Sequence, residues 1–170
     1  MVRYTLGMNI FVLDENPRTA ANYACDKHSV KMPLETAQML CTALVQNGVE
    51  TTHYKPTHQS HPCTKWAAET RKNFVWLAEH GIALCKTYSE RYGRTHKCQS
   101  VIESCLSMSH EISDGELTPW PLAMKEEYRI EGSPVASYRK YYLEGKTYMN
   151  KSKGPQWKYT VTPDWYLGDE

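Results

Sequence analysis

Apolar residues recur along most of this chain at the three- and four-residue spacing of amphipathic helices, interrupted by stretches with no period. The first segment, Met8-Asn-Ile-Phe-Val-Leu13, is an apolar run closed by Asp14-Glu-Asn-Pro17. It fits either a strand or a buried entry segment. Pro17 to Ala24 reads as one or two helical turns, with Asn16 as N-cap and Pro17 in the first helical position. A longer helix is predicted from about Asp26 to Asn47 and is stopped by Gly48; Pro33 inside it forces either a kink or a fresh start.

Residues 49–61 carry three histidines and no apolar period, so they form a loop. From Pro62 to about Tyr92 the pattern is helical again, with Gly81 as the expected point of any break and Gly93 as the stop; Trp66, Asn73, Leu77, Leu84 and Tyr88 share one side. His96 to Met108 is a further helix, 109–134 is mostly loop, and Pro134 to Leu143 is a short helix begun by proline. From Gly145 onward the tail is irregular. The sum is an all-α, compact single domain spanning 1–170, with long loops and an irregular aromatic-basic C-terminal segment.

Composition agrees with one globular domain: 170 residues, 41% apolar, net charge +1. No apolar run reaches the roughly 18 to 20 residues of a membrane span, and the opening residues lack the regions of a signal peptide, so a cytoplasmic protein without membrane contact is expected. Six cysteines stand singly, without a CxxC pair, and read as free buried thiols. The near-zero charge speaks against nucleic acid until it is divided along the chain. Residues 138–158 hold six Lys or Arg against one Glu, interleaved with Tyr138, Tyr141, Tyr142, Tyr148 and Trp157, while 159–170 hold three acids and no base. Cations neutralise phosphates and rings stack on bases, so this segment either contacts DNA or is a solvated tail whose rings cover the core.

On a helical wheel of about 100° per residue, His28, Lys31, Glu35, Gln38 and Thr42 fall in a polar band about 80° wide, opposite Val30, Leu34, Ala37, Cys41 and Leu44. Such a band is either a surface face with a Lys31–Glu35 ion pair or the lining of a polar cleft. In a cleft, a desolvated Lys or Glu acts as nucleophile or general base.

Asp26-Lys-His28 followed at seven residues by Glu35 resembles the Asp-x-His…Glu segment of the phage endonuclease V type of pyrimidine-dimer DNA glycosylase/AP lyase. Two further stretches resemble that family in the same order. His61-Pro-Cys…Trp66…Asn73…Trp76-Leu77…Leu84…Tyr92-Gly93 is similar to its long His-initiated helix, and Tyr138-Arg-Lys-Tyr-Tyr-Leu-Glu-Gly-Lys146 to its aromatic-basic C-terminal segment. The resemblance implies a compact all-α fold and attack by an amine on the sugar carbon bearing a damaged base, forming an imine. The assisting helix carboxylate carries over to Glu35, with His28 in DNA or active-site contacts. The family's nucleophile is an N-terminal amine on a small residue. This chain has extra residues before the matching helix, which leaves as candidates an amine on Val2, ahead of Arg3, or the side chains of Lys31 or Lys27.

The catalytic candidates are therefore Glu35, Lys31 and His28, and the DNA-binding candidates His58, His61, Asn73, Arg139, Lys140, Tyr142 and Lys146. Cys25-x-x-His28 with His61-x-Cys63 offers zinc-type ligands in a spacing that matches no known finger; the same His61-Pro-Cys-Thr run also reads as a helix start. The leading expectation is a cofactor-free DNA repair enzyme that opens double-stranded DNA at a damaged or modified pyrimidine and acts as a monomer in a bacterial or phage-infected cell. Two alternatives stand beside it. One is a phage-type transferase that modifies hydroxymethylpyrimidine on the same scaffold; the other is a non-enzymatic DNA-binding or zinc-stabilised accessory protein.

Overall fold

The computed structural model describes residues 8–50 and 52–168, and among them every regular element is helical. In order these are α1 (Pro17–Tyr23), α2 (Asp26–Gln46), α3 (Pro62–Glu69), α4 (Arg71–Tyr92), α5 (Gln99–Ser107) and α6 (Pro134–Lys140), then the single turns α7 (Met149–Ser152) and α8 (Asp164–Leu167). The central element is α2, which packs against α3, α4 and α5, while α4 also carries α1. No helix among the described residues is long and apolar enough to cross a membrane.

Local chemistry sets most of the boundaries. Asn16 Oδ1 accepts the Arg18 and Thr19 N–H groups at 2.9 and 3.2 Å, and Pro17 starts α1 as expected. Gly93 ends α4 at φ 68°, a left-handed position a glycine reaches without strain. The apolar run before α1 is not a strand. Asn9 Oδ1 accepts the Ile10 and Phe11 N–H groups at 2.8 and 3.0 Å, Leu13 N–H returns to the Phe11 carbonyl, and residues 8–13 are buried. With the Ile10, Phe11 and Leu13 amides satisfied inside its own turn, the segment folds without a partner strand.

Two expected interruptions fall elsewhere. Pro33 neither breaks α2 nor restarts it: the helix continues from Asp26 to Gln46 with Pro33 buried. Packing on several sides offsets the amide bond the ring removes. The break in the long second pattern lies at Thr70 rather than Gly81. Thr70 is extended (φ −136°, ψ 153°), and its Oγ1 accepts the Asn73 N–H at 3.1 Å while donating to the Glu116 carbonyl at 2.8 Å. The buried Asn73 side chain then fastens the junction, donating to the Trp66 carbonyl and Thr118 Oγ1 and accepting the Thr118 N–H.

The other departures are smaller. The helix read from His96 begins at Gln99, because His96 Nδ1 caps it by accepting the Cys98 N–H at 3.0 Å. Its other ring nitrogen donates to the Val30 carbonyl at 2.9 Å and so docks α5 on α2. After Lys140, α6 widens into a π-type turn at Tyr141–Gly145, and the tail beyond is loop except for α7 and α8. All six cysteines are free and buried.

Gly81 serves the crossing of α4 over α2 and α5. A Cβ there would lie 2.6 Å from Thr36 Cγ2 and 3.1 Å from Ile102 Cδ1. Gly81→Ala gains roughly 1 kcal/mol of helix propensity and loses about 1–3 kcal/mol to overpacking, so a net destabilisation is expected in denaturant melts. Combining it with Thr36→Ser, which removes the clashing methyl, should recover part of the loss; failure to recover any would refute the close-approach account.

Candidate active site

The narrow polar band of α2 is a lining rather than a solvated face. Among its members His28, Glu35 and Thr42 are buried and only Lys31 stands well into solvent, while Val30 on the opposite side is 44% exposed. Because i and i+7 positions lie nearly in register on a helix, His28 and Glu35 share the buried side, with Lys31 on the rim between them.

Glu35 is held from both ends of its carboxylate. Its Oε1 accepts the backbone N–H of Asn9 at 3.1 Å, so the buried entry segment is threaded onto α2 at this point. Its Oε2 is buried without a hydrogen-bond partner, and Lys31 Nζ stands 3.6 Å away, an ion-pair distance across an i,i+4 step. Burial raises the pKa of Glu35 above its ordinary value, against the opposing pull of Lys31, the Asn9 amide and Lys146. The result is a carboxyl group with one free oxygen beside an amine, able to take up or hand over a proton.

His28 is fixed by the tail. Tyr142 is wholly buried, and its hydroxyl accepts the Cys25 N–H at 3.2 Å and lies 2.6 Å from His28 Nδ1. Burial, then the charges of Lys146 and Lys31, lowers His28 to about 3, so the ring is neutral and shares a hydrogen bond with the Tyr142 hydroxyl through Nδ1. The His28 ring stacks on Phe11 at 4.2 Å, Phe11 on Tyr141 at 6.0 Å, and Tyr141 on Tyr128 at 5.3 Å. Three successive interplanar angles of 23° to 25° make this a ladder of nearly parallel rings. Lys146 caps the ladder: its Nζ lies 4.8 Å over Tyr141, 5.4 Å over Phe11 and 5.6 Å over Tyr148, and donates to Tyr148 Oη at 3.1 Å.

Tertiary structure thus gathers Glu35, Lys31, His28, Tyr142 and Lys146 in one region. It also brings in Asn9, Phe11 and Tyr141, which sequence reasoning did not single out. Phe11 had one usable signal, as one of only two Phe in a chain with 12 Tyr. The remaining expected binding residues lie apart from this group. Asn73 is occupied at the α3–α4 junction, and Arg139 donates to the Leu13 carbonyl at 2.9 Å, pairs with Asp14 at 3.4 Å and lies over the Tyr23 and Trp165 rings. Lys140 pairs with Glu144 at 3.9 Å. His61 caps α3 by accepting the Cys63 N–H at 3.1 Å, and exposed His58, at φ 48°, bonds Thr57 through its ring at 3.0 Å and accepts the His61 N–H on its carbonyl at 3.0 Å.

The Cys25, His28, His61 and Cys63 tetrad read from spacing is not assembled. Cys25 and His28 converge on Tyr142, His61 is spent on the α3 cap, and no three His, Cys, Asp or Glu side chains among the described residues are placed to hold a metal. Val2 and Arg3, considered for an N-terminal amine, lie outside the described residues.

A family model described as pyrimidine dimer DNA glycosylase matches residues 8–100. The matched span opens with the entry segment that meets Glu35 and runs through α4 to the first residues of α5. Searches of curated proteins and of solved structures give no match.

Two outcomes follow from the buried charges. Glu35 has a raised folded-state value, so above that value its ionised form costs folding energy, and protonation on acidification relieves the cost. Glu35→Gln should therefore raise the midpoint of thermal unfolding at neutral pH, with the advantage shrinking in acid. The buried histidines behave in the opposite sense. His28, near 3, and His80, lowered to about 4 by burial with neither ring nitrogen bonded, stay neutral while the unfolded chain protonates below about 6.5. Stability present above pH 6.5 should thus fall as pH drops from about 6.5 to 4 for His80 and on to 3 for His28. In His80→Phe the slope of unfolding free energy against pH in that window should lessen by about one proton.

Proposed function

The chain belongs to the pyrimidine dimer DNA glycosylase family, and from that premise we propose that it excises a damaged or modified pyrimidine from double-stranded DNA, with Glu35 as the catalytic carboxylate and Lys31 as the attacking amine. One observation carries the reading: Glu35 Oε2 is buried and unbonded 3.6 Å from an amine that is 70% exposed on its side chain. Nothing in an ordinary surface ion pair requires a carboxylate this desolvated.

The target nucleotide leaves the base stack so that its C1′ can reach the α2 rim. Lys31 passes a proton to Glu35 and bonds to C1′ through Nζ, while the C1′–N1 bond breaks and the base departs with that electron pair and takes up the proton from Glu35. The C1′–O4′ bond then breaks, O4′ takes a proton from Nζ, and the opened sugar is left with a protonated imine between C1′ and Nζ. A carboxylate at this place stabilises the cationic sugar and iminium. It can then remove the C2′ proton, and the electron pair moves to expel the 3′ phosphate by elimination. His28, kept neutral by burial and the charges of Lys146 and Lys31, is a hydrogen-bonding group beside the sugar, and Lys146 a positive charge for its phosphate. The enzyme works as a monomer. Its acid–base steps are supplied by side chains, and no cofactor enters them.

The test is borohydride trapping with duplexes that carry a pyrimidine dimer or an abasic site. Wild-type protein should leave a covalent adduct, and peptide mapping should find it on Lys31; Lys31→Ala should remove the adduct, and Glu35→Gln should cut base release by about a hundredfold or more. An adduct that survives Lys31→Ala assigns the amine elsewhere. Base release with no adduct replaces the amine by water, and a heavier base retained in the nucleoside mass spectrum replaces excision by base modification.

A further inference from the structure

The most strained backbone among the described residues lies next to this site. Asn150, Lys151 and Ser152 follow one another at φ 52°, 57° and 68°, and Gly154 adds φ 81°. Three consecutive non-glycine residues in the left-handed region form a left-handed turn that L side chains oppose. Hydrogen bonds hold it closed: Gly154 N–H to the Met149 carbonyl at 2.9 Å, Ser152 N–H to the Tyr148 carbonyl at 3.2 Å, and Asn150 Nδ2 to the Gly154 carbonyl at 2.8 Å.

Both ends of the turn are tied to the active site. Before it, Lys146 caps the ring ladder and bonds Tyr148. After it, the Gln156 carbonyl accepts the Asp26 N–H at 2.9 Å and Asp26 Oδ2 accepts the Lys158 N–H at 2.6 Å, which docks the returning chain on the start of α2, two residues from His28. The turn therefore stands at the edge of the Glu35 region with Lys151, Ser152 and Lys153 exposed and Tyr148 65% exposed. Exposed Lys27 and Lys31 continue the same positive sector along α2, and Asp26 there is neutralised by Arg91 at 3.3 Å.

We propose that this left-handed turn is a DNA-strand contact: Lys151 and Lys153 hold backbone phosphates of the strand leading to the Glu35 site, and the Tyr148 ring stacks on a base next to the target. The inference rests on the glycosylase reading and adds to it where the strand lies. It also moves the binding role of the aromatic-basic tail away from Arg139 and Tyr142, whose polar groups are bonded within the protein, to residues that face solvent.

Fluorescence anisotropy on a labelled duplex with a stable abasic-site analogue, across a salt series, tests it. For Lys151→Gly/Lys153→Ala the log–log slope of affinity against salt should lessen by about 2, one per lost phosphate contact. Glycine accepts φ 57° more readily than lysine, so Lys151→Gly alone should melt no lower than wild type, which separates lost contact from misfolding. Tyr148→Ala should weaken binding roughly tenfold at an unchanged slope. Lys86→Ala, an exposed lysine of α4, should change neither. If the double variant keeps the wild-type slope while wild type binds and releases base, the turn proposal fails alone. Equal loss from Lys86→Ala also overturns it, and wild type that binds no duplex overturns both readings.

Discussion

The hydrogen bond from the Asn9 amide to Glu35 fixes how the rest of this structure is arranged. It joins the buried entry segment to the central helix at a carboxylate whose other oxygen has no hydrogen-bond partner. A hydrophobic stretch that could have paired as a strand instead turns on its own Asn9 side chain and lays Phe11 against His28. The contact that covers Glu35 Oε1 is thus supplied by a segment 26 residues away. The energetic cost of that burial is offset by the core around α2.

The C-terminal third completes the site from the other side. Tyr142 reaches across 114 residues to hydrogen-bond His28 Nδ1, and Tyr141 and Lys146 close the ring ladder. The same segment yields two unlike sets of cations and rings. Arg139 and Tyr142 are structural ties, whereas Lys146, Tyr148, Lys151 and Lys153 carry charge and ring surface towards solvent or the site. A charge count along the chain cannot separate them, because counting ignores which groups already have partners.

Much of the fold was legible because it is local. Asn16 and Pro17, Gly93, the loop at 49–61 and the run of helices follow from caps, glycine stops and apolar spacing acting within a few residues. The misplaced break is instructive. Gly81 is a glycine for the sake of Thr36 and Ile102 on other helices, while Thr70 ends α3 through a contact with Glu116. Neither partner is near in sequence.

The sequence by itself determined the helical class and the polar band of His28, Lys31 and Glu35 on one helix, since each depends on helical spacing and residue type alone. Only the tertiary structure decided that the band faces inward, that Asn9 and Tyr142 hold its two ends, and that the Cys and His residues with metal-like spacing do not meet. The physical reason is desolvation. Whether a carboxylate is a solvated surface group or a desolvated one depends on what covers it, and the amide that meets Glu35 comes from Asn9, 26 residues away.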